Sequence, residues 1–72
     1  MLPVGENVRA LRDERNLSQG QLAEKIGVTR ATIATYESGN RLPSLFKLIR
    51  LSRALGVTTD YLLGVSKDKD AF

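Results

Sequence analysis

The side chains of this sequence that could do chemistry are its hydroxyls and its charges. Histidine and cysteine are absent, which removes the commonest general base, the commonest metal ligand and the thiolate. No glycine-rich loop that could cradle a phosphate is visible, so we expect no catalytic site, no metal site and no cofactor. The 11 Lys and Arg residues exceed the 8 Asp and Glu residues, for a formal charge of +3. This balance favours a polyanionic partner.

The hydroxyl residues are better explained as helix caps than as nucleophiles. Each predicted cap stands just before a run of apolar residues at helical spacing, where its oxygen can accept a hydrogen bond from the first turn. Glycines follow these runs, where a left-handed residue ends a helix without steric cost. The predicted caps are Ser18, Thr29, Ser44 and Thr58, and the closing glycines are Gly27, Gly39 and Gly56.

These boundaries predict an all-α fold, a compact domain of five helices, because no stretch alternates long enough for a strand. The predicted helices span residues 4–15, 19–26, 30–38, 45–55 and 59–63. We expect residues 1–64 to form one domain and residues 65–72 to be a flexible tail. The start does not resemble a signal peptide, and no apolar stretch reaches membrane-spanning length. We therefore expect a cytoplasmic protein without membrane contact.

The second and third predicted helices are too close in sequence to form an antiparallel hairpin. Only residues 27–29 separate them, so they must cross steeply, as in a helix-turn-helix. Such a crossing needs a small residue at the contact, which Ala23 provides, and a chain reversal, which Gly27 allows. The apolar residues that would anchor both helices to one core are Leu22, Ile26, Val28, Ile33 and Tyr36. We predict a helix-turn-helix over residues 19–38, which would place a helix in the major groove of DNA.

The sequence around this motif resembles the Cro/C1-type (XRE) helix-turn-helix of phage repressors and bacterial regulators. The similar segments are Ser18-Gln19-Gly20-Gln21-Leu22-Ala23, Ile26-Gly27-Val28-Thr29, and Ile33-Ala34-Thr35-Tyr36-Glu37-Ser38-Gly39-Asn40-Arg41-Leu42-Pro43. The resemblance continues through Leu55-Gly56-Val57 and Asp60-Tyr61-Leu62-Leu63. It implies a lambda-repressor-like DNA-binding domain. Ser52 departs from the family, which more often has alanine there, but its hydroxyl can bond back to its own helix.

The resemblance implies that the third helix is the recognition helix, with its N-terminal end against the base edges. Helical geometry turns the small side chains of that helix outward if Ile33 and Tyr36 face the core. Arg30 is the best candidate for a direct base contact, with guanine as the expected base, and the alternative is a phosphate contact without sequence information. The predicted base-contacting residues are Arg30, Ala31, Ala34 and Thr35.

The resemblance also implies contacts to the phosphate backbone from the start of the second helix and from the loop after the third. Without the motif, Gln19 and Arg41 would be interpreted as solvated surface residues. The predicted phosphate-contacting residues are Ser18, Gln19, Thr32, Ser38, Asn40, Arg41 and Lys47. In the family the charges equivalent to Arg12 and Glu37 pair at the edge of the core, so we expect a structural pair rather than DNA contacts.

The predicted function is sequence-specific binding of double-stranded operator DNA in transcriptional regulation, with repression favoured over activation because occupancy alone can block polymerase. Since one helix-turn-helix contacts only a few base pairs, we expect a homodimer. Its predicted surface is helix 5 with the following residues, Tyr61, Leu62, Leu63 and Val65.

The main alternative is a protein-interaction module, antitoxin-like or polymerase-contacting, for which DNA is a secondary ligand. Phe46 and Ile49 are the candidate contact residues for such a partner. They lie beside an inward stripe of leucines on the fourth helix, which is predicted to include Leu45. The other interpretation, slightly favoured, is that the core extends around this helix and buries both. RNA binding is less favoured because no aromatic stacking platform is visible.

Overall fold

The computed structural model describes residues 3–70, and this part of the chain is helical without strands. The helices are α1 (Val4–Glu14), α2 (Gln19–Ile26), α3 (Arg30–Ser38), α4 (Leu45–Leu55) and α5 (Thr59–Leu63). Four of the five predicted ranges are confirmed, and α1 ends one residue before its predicted end. No helix in residues 3–70 is both long enough and apolar enough to cross a membrane.

Side-chain caps fix where α2, α3, α4 and α5 begin, as the sequence predicts. The Ser18 hydroxyl accepts a hydrogen bond from the Gln21 amide at 3.0 Å, and the Gln21 side-chain oxygen accepts one from the Ser18 amide at 2.8 Å. This reciprocal pair is a capping box. Thr29, Ser44 and Thr58 likewise accept from the backbone amide three residues further on. A cap contributes about 1 kcal/mol, which matters in a domain this small.

The core forms where α1, α2, α3 and α4 meet, with α5 packed against α1 and α4. The expected bond from Ser52 to its own helix is confirmed, since its hydroxyl donates to the Ile49 carbonyl at 2.7 Å. The residues at the centre of the core with essentially no exposure are Val4, Val8, Leu11, Leu22, Ile33, Leu51, Leu55 and Leu62.

The first turn of α4 differs from the prediction. Leu45 was predicted to face inward, but it is 67% exposed, and Phe46 is 75% exposed. The expectation that the core extends around this helix is therefore wrong for Phe46, whereas Ile49 is partly buried. Burial on α4 starts only at Leu48, one turn into the helix, so the first turn lies outside the part of α4 that packs on the core.

The surface predicted for a dimer also needs a correction. Leu62 is completely buried in the core of one chain, so its predicted contact with a second copy is wrong. Tyr61 and Leu63 are partly buried, and Val65 is 66% exposed. The main-chain carbonyls of Tyr61 and Leu62 accept hydrogen bonds from the Asn7 amide group at 3.2 and 3.1 Å, which fixes α5 on α1.

The predicted flexible tail folds back over the start of α5. The Thr58 amide donates to the Lys69 carbonyl at 2.9 Å. The Lys69 ammonium lies 3.8 Å from a carboxylate oxygen of Glu14 and 5.6 Å from the centre of the Tyr61 ring. Residues 1, 2, 71 and 72, which belong to the predicted domain and tail, lie outside the described residues. The flexibility of the tail stays a prediction.

A close backbone approach that the sequence did not reveal occurs where α1 crosses the end of α3. Gly5 faces the carbonyl groups of Tyr36 and Glu37, and a Cβ atom at Gly5 would lie 2.8 Å from the Glu37 oxygen and closer still to that of Tyr36. No real Cβ atom tolerates such contacts with backbone. Gly5 therefore sets how closely α1 and α3 can pack.

Replacing Gly5 with alanine is expected to destabilise the domain, against the usual preference of helices for alanine. The clash should cost about 1–3 kcal/mol of unfolding free energy because backbone has to move. Gly20→Ala is the matched control, because a Cβ there meets only the Ser18 hydroxyl at 3.8 Å; it should stabilise α2 by up to about 1 kcal/mol. Urea denaturation measures both, and equal effects of the two variants would contradict the packing argument.

Candidate nucleic-acid interface

The turn between α2 and α3 has the geometry that a steep helix crossing requires. Gly27 adopts a left-handed conformation with φ of 75°, which side-chain-bearing residues rarely tolerate. The next amide, of Val28, donates to the Ala23 carbonyl at 3.0 Å. Ala23 is 2% exposed at the crossing, and its small side chain lets α3 approach α2. The predicted helix-turn-helix over residues 19–38 is confirmed.

One face of α3 is left open to solvent. Ile33 and Tyr36 are buried, as predicted, and hold the opposite face in the core. Arg30 and Ala31 are exposed at the N-terminal end, and Ala34 and Thr35 are partly exposed behind them. No hydrogen bond or ion pair joins the Arg30 side chain to any residue in the range 3–70. The structure thus presents together the four residues predicted to contact bases.

The hydroxyls along α3 are largely engaged within the protein. The Thr35 hydroxyl donates to the Ala31 carbonyl at 2.8 Å, and the Ser38 hydroxyl donates to the Thr35 carbonyl at 3.0 Å. The hydroxyl of Thr32 lies 2.9 Å from that of Thr29, within the helix cap. A phosphate contact from Ser38 would require its hydroxyl to leave or share the Thr35 carbonyl. Thr32 can keep its contact with Thr29 and still donate to a phosphate when the Thr29 hydroxyl is the donor of that contact.

The end of α3 is tied to α1 by a partly buried ion pair. Arg12 donates from Nε to one Glu37 oxygen at 2.7 Å and from Nη2 to the other at 3.1 Å. The side chains of Arg12 and Glu37 are 12% and 5% exposed. The remaining nitrogen, Nη1, donates to the Leu17 carbonyl at 2.7 Å and lies 3.3 Å from Asp13. The contact predicted between Arg12 and Glu37 is therefore formed.

The charge of this pair is balanced internally. The hydrogen bond to Glu37 raises the pKa of Arg12, against a smaller lowering by desolvation. The pairing with Glu37 thus favours the charged form of Arg12. Gln19 adds a third helix to the network, because its side-chain amide donates to Glu37 at 3.1 Å. The start of α2, which is predicted to contact a phosphate, is thereby held at a fixed position relative to the end of α3.

The loop after α3 brings further polar side chains to the same end of the helix. Asn40 and Arg41 are exposed, and Lys47 is partly exposed on the first turn of α4. Within residues 3–70, none of these three side chains is engaged in a hydrogen bond or an ion pair. Leu42, between them, is 58% exposed, so the loop combines charge with apolar surface.

The sequence analysis did not identify Arg9 as a residue of the surface beside α3. Arg9 lies on α1, one turn before Arg12, and lines a cleft together with Gln19 and residues of α3. The spacing of three residues between the two arginines was the available signal, because such residues share a helix face. Sequence alone could not reveal that this face borders the recognition helix.

The chain is similar to known helix-turn-helix proteins. The helix-turn-helix family model matches residues 8–62. The chain is 40% identical over 65 residues to the uncharacterized HTH-type transcriptional regulator YobD of Bacillus subtilis, covering 90% of this chain and 58% of YobD. The chain thus spans little more than half the length of such curated relatives.

Solved structures with the same fold include proteins bound to DNA. The P22 c2 repressor in complex with a synthetic operator superimposes with a TM-score of 0.86 at 32% identity, over 92% of this chain and all of that one. SinR, described as the master regulator for biofilm formation and crystallised with DNA, gives a TM-score of 0.78 at 31% identity, over 83% of this chain and 97% of that one. SinR has also been crystallised with the SinI protein.

Removing the charge of Glu37 is expected to destabilise the domain strongly. Glu37→Gln keeps the size of the side chain but leaves the partly buried Arg12 guanidinium with only the exposed carboxylate of Asp13 nearby. This loss should cost about 3 kcal/mol of unfolding free energy. The double variant Arg12→Met with Glu37→Leu should recover most of this loss, since no uncompensated charge remains.

The matched control for this prediction is Asp13→Asn, which breaks only the exposed contact to the same arginine. Asp13 is 63% exposed, so its loss should change the stability by less than about 0.5 kcal/mol. Thermal and urea unfolding measure all of these variants. A Glu37→Gln protein as stable as the parent would show that the pair does not hold α3.

Proposed function

Because the chain belongs to the Cro/C1-type helix-turn-helix family, we propose that it binds double-stranded DNA in a sequence-specific manner, with α3 in the major groove. The observation that carries this proposal is the open face of α3. A cation with no partner in residues 3–70, Arg30, stands at its N-terminal end, and small side chains follow it along the helix. A helix with this surface can approach base edges closely, because no bulky group keeps it out of the groove.

The contact proposed for each side chain follows from the donors, acceptors and methyl groups that it has available. Arg30 has all its guanidinium donors available for guanine, while Ala31 and Ala34 offer methyl groups that can pack on thymine methyls. The Thr35 hydroxyl donates its proton to the Ala31 carbonyl of the same helix. Its methyl group and its oxygen, as an acceptor, remain available for a base. Base contacts by these four residues would specify the sequence.

Phosphate contacts would fix the register of α3 on the duplex. Ser18 and Gln19 lie at the start of α2, where free backbone amides also attract anions. On the other side of α3, the unengaged side chains of Asn40, Arg41 and Lys47 can contact the backbone. Thr32 and Ser38 stay in the proposed set, and the Ser38 hydroxyl would have to exchange its internal hydrogen bond to the Thr35 carbonyl.

We further propose that the protein is a transcriptional regulator acting as a repressor in the cytoplasm. Occupying an operator is sufficient for repression, because the bound protein blocks polymerase sterically. The similarity to the P22 c2 repressor bound to operator supports this role. The open face of α3 is a surface for binding rather than for catalysis.

The experiment that tests DNA recognition compares the parent with Arg30→Ala on a duplex selected from a random pool and on a random-sequence duplex. The parent should prefer the selected site, and its affinity should fall steeply with salt. Arg30→Ala should lose about 1–3 kcal/mol of discrimination at one base position while the salt dependence on random DNA is nearly kept.

Two other outcomes have clear meanings. Uniform weakening of Arg30→Ala on both duplexes, with a smaller salt slope, would place Arg30 on a phosphate. No enriched site and no salt-dependent binding by the parent would refute DNA recognition.

Arg15→Ala serves as the control, because Arg15 lies 3.6 Å from Glu14 at the end of α1 and outside the proposed interface.

A homodimer remains part of the proposal, since one recognition helix covers only a few base pairs. Its surface on α5 is reduced to Tyr61, Leu63 and Val65, because Leu62 is buried. Val65 is the most exposed of the three. In dimers of helix-turn-helix proteins the two recognition helices lie on half-sites about one helical turn apart, and the proposed dimer has to meet this spacing.

The exposed apolar cluster Leu42, Leu45 and Phe46 favours a second candidate function, binding of a protein partner. These side chains are between 58% and 75% exposed and lie close together in sequence, in the loop and on the first turn of α4. Exposed apolar side chains that form a patch often mark an interaction site. The crystal structure of SinR with SinI is an example of a similar protein that binds another protein.

Two charge-introducing variants separate these surfaces. Val65→Glu should abolish dimer formation on the selected duplex in analytical ultracentrifugation, because it would bury a charge in the contact, while Phe46→Glu should leave the dimer intact. If Phe46→Glu abolished the dimer and Val65→Glu did not, the dimer surface would be the apolar cluster instead. A monomer at high concentration with and without DNA would refute the homodimer.

A further inference from the structure

We propose that the cleft between α1, the start of α2 and α3 receives a DNA phosphate, and that Arg9 is the cation that binds it. This proposal rests on the function proposed above and adds a contact from α1, which the sequence analysis did not assign to DNA. The cleft encloses about 310 Å³. Its lining residues are Arg9, Arg12, Gln19, Ala34, Glu37 and Ser38.

The charges inside the cleft leave Arg9 as its available cation. Arg12 and Glu37 neutralise each other through two hydrogen bonds, and Gln19 donates to the same carboxylate. Among residues 3–70, Arg9 has no ion pair and no side-chain hydrogen bond, and its side chain is exposed. A phosphate entering the cleft therefore meets one uncompensated guanidinium, whose donors match phosphate oxygens.

The acidic groups nearest along α1 do not neutralise this arginine. Glu6 lies three residues before Arg9, and Asp13 lies four residues after it, so both can share its helix face. Asp13 instead lies 3.3 Å from Arg12, and Glu6 forms no ion pair within the described residues. Among the residues that line the cleft, Glu37 of α3 is the only carboxylate, and it is paired with Arg12. Glu24 of α2 is not part of the lining.

The position of the cleft explains why the anion would be a DNA phosphate. Ala34, on the base-contacting face of α3, forms part of its wall together with Ser38 near the end of the same helix. A duplex whose bases contact Arg30 and Ala34 has to carry one of its strands along this side of α3. The cleft also includes Gln19, a residue proposed to contact phosphate from α2, so the two contacts would flank one backbone segment.

An Arg9 contact of this kind is independent of base sequence. It would anchor α1 to the backbone, and the Arg12–Glu37 pair links α1 to α3, so the recognition helix would be held at a fixed depth in the groove. We expect Arg9→Gln to weaken binding to selected and random-sequence duplexes by a similar factor, without changing the preferred site.

The test measures affinity against salt concentration for the parent, Arg9→Gln and Arg53→Gln, on the selected duplex and on a random-sequence duplex. Loss of one phosphate contact should lower the slope of log K against log salt by about one per bound chain for Arg9→Gln. Arg53→Gln removes the same charge from an exposed position on α4 that does not line the cleft, and it should keep the parental slope. Thermal unfolding checks that both variants fold like the parent.

A second measurement locates the contact. Replacing single phosphates of the selected duplex with neutral methylphosphonates should reveal one position that weakens the parent but has no further effect on Arg9→Gln. If the parent binds DNA with the expected salt dependence while Arg9→Gln keeps its slope and responds to every methylphosphonate like the parent, the Arg9 proposal is wrong and DNA recognition stands. A changed base preference in Arg9→Gln would likewise overturn it. A parent that does not bind DNA would refute the proposed function itself.

Discussion

The partly buried pair of Arg12 and Glu37 is the interaction on which the geometry of the candidate interface depends. Arg12 belongs to α1, Glu37 to the last turn of α3, and Gln19 of α2 donates to the same carboxylate. Three helices are thereby held at one point beside the open face of α3. Charges with this little exposure have to be paired, so the relative positions of these helices cannot change without breaking the pair.

Steric constraints act together with this electrostatic one. Gly5 allows α1 to approach the carbonyls that end α3, and Ala23 allows α2 to cross α3 closely. A domain of this size buries too little surface to tolerate loose packing, and it has no disulfide to compensate. Side-chain caps at α2, α3, α4 and α5 supply part of the missing stability. The rigidity that results suits a surface that has to match the shape of a groove.

The surface divides into regions with different chemistry. The face of α3 combines small side chains with a cation, Arg30, that has no partner in the part of the chain that the structure describes. Its flanks carry polar and cationic groups suited to phosphates. Beyond the end of α3, Leu42, Leu45 and Phe46 expose apolar area that DNA contacts alone do not require. Residues proposed for DNA contact and residues proposed for protein contact thus lie on neighbouring surfaces, because the loop after α3 carries members of both sets.

The sequence by itself determined the helices and the turn. Caps such as Ser18 and Thr29, and glycines such as Gly27, act within one turn of the chain, so their effect is visible in local spacing. Helical periodicity likewise predicted that Ile33 and Tyr36 are buried and that the opposite face of α3 is open. Only the tertiary structure decided which apolar residues another element covers, and it buried Leu62 while leaving Leu45 and Phe46 exposed. It also brought Arg9 to the side of α3 and Gly5 to within contact of two carbonyls. Such contacts join residues far apart in sequence, and their geometry depends on how whole helices pack, which no local pattern encodes.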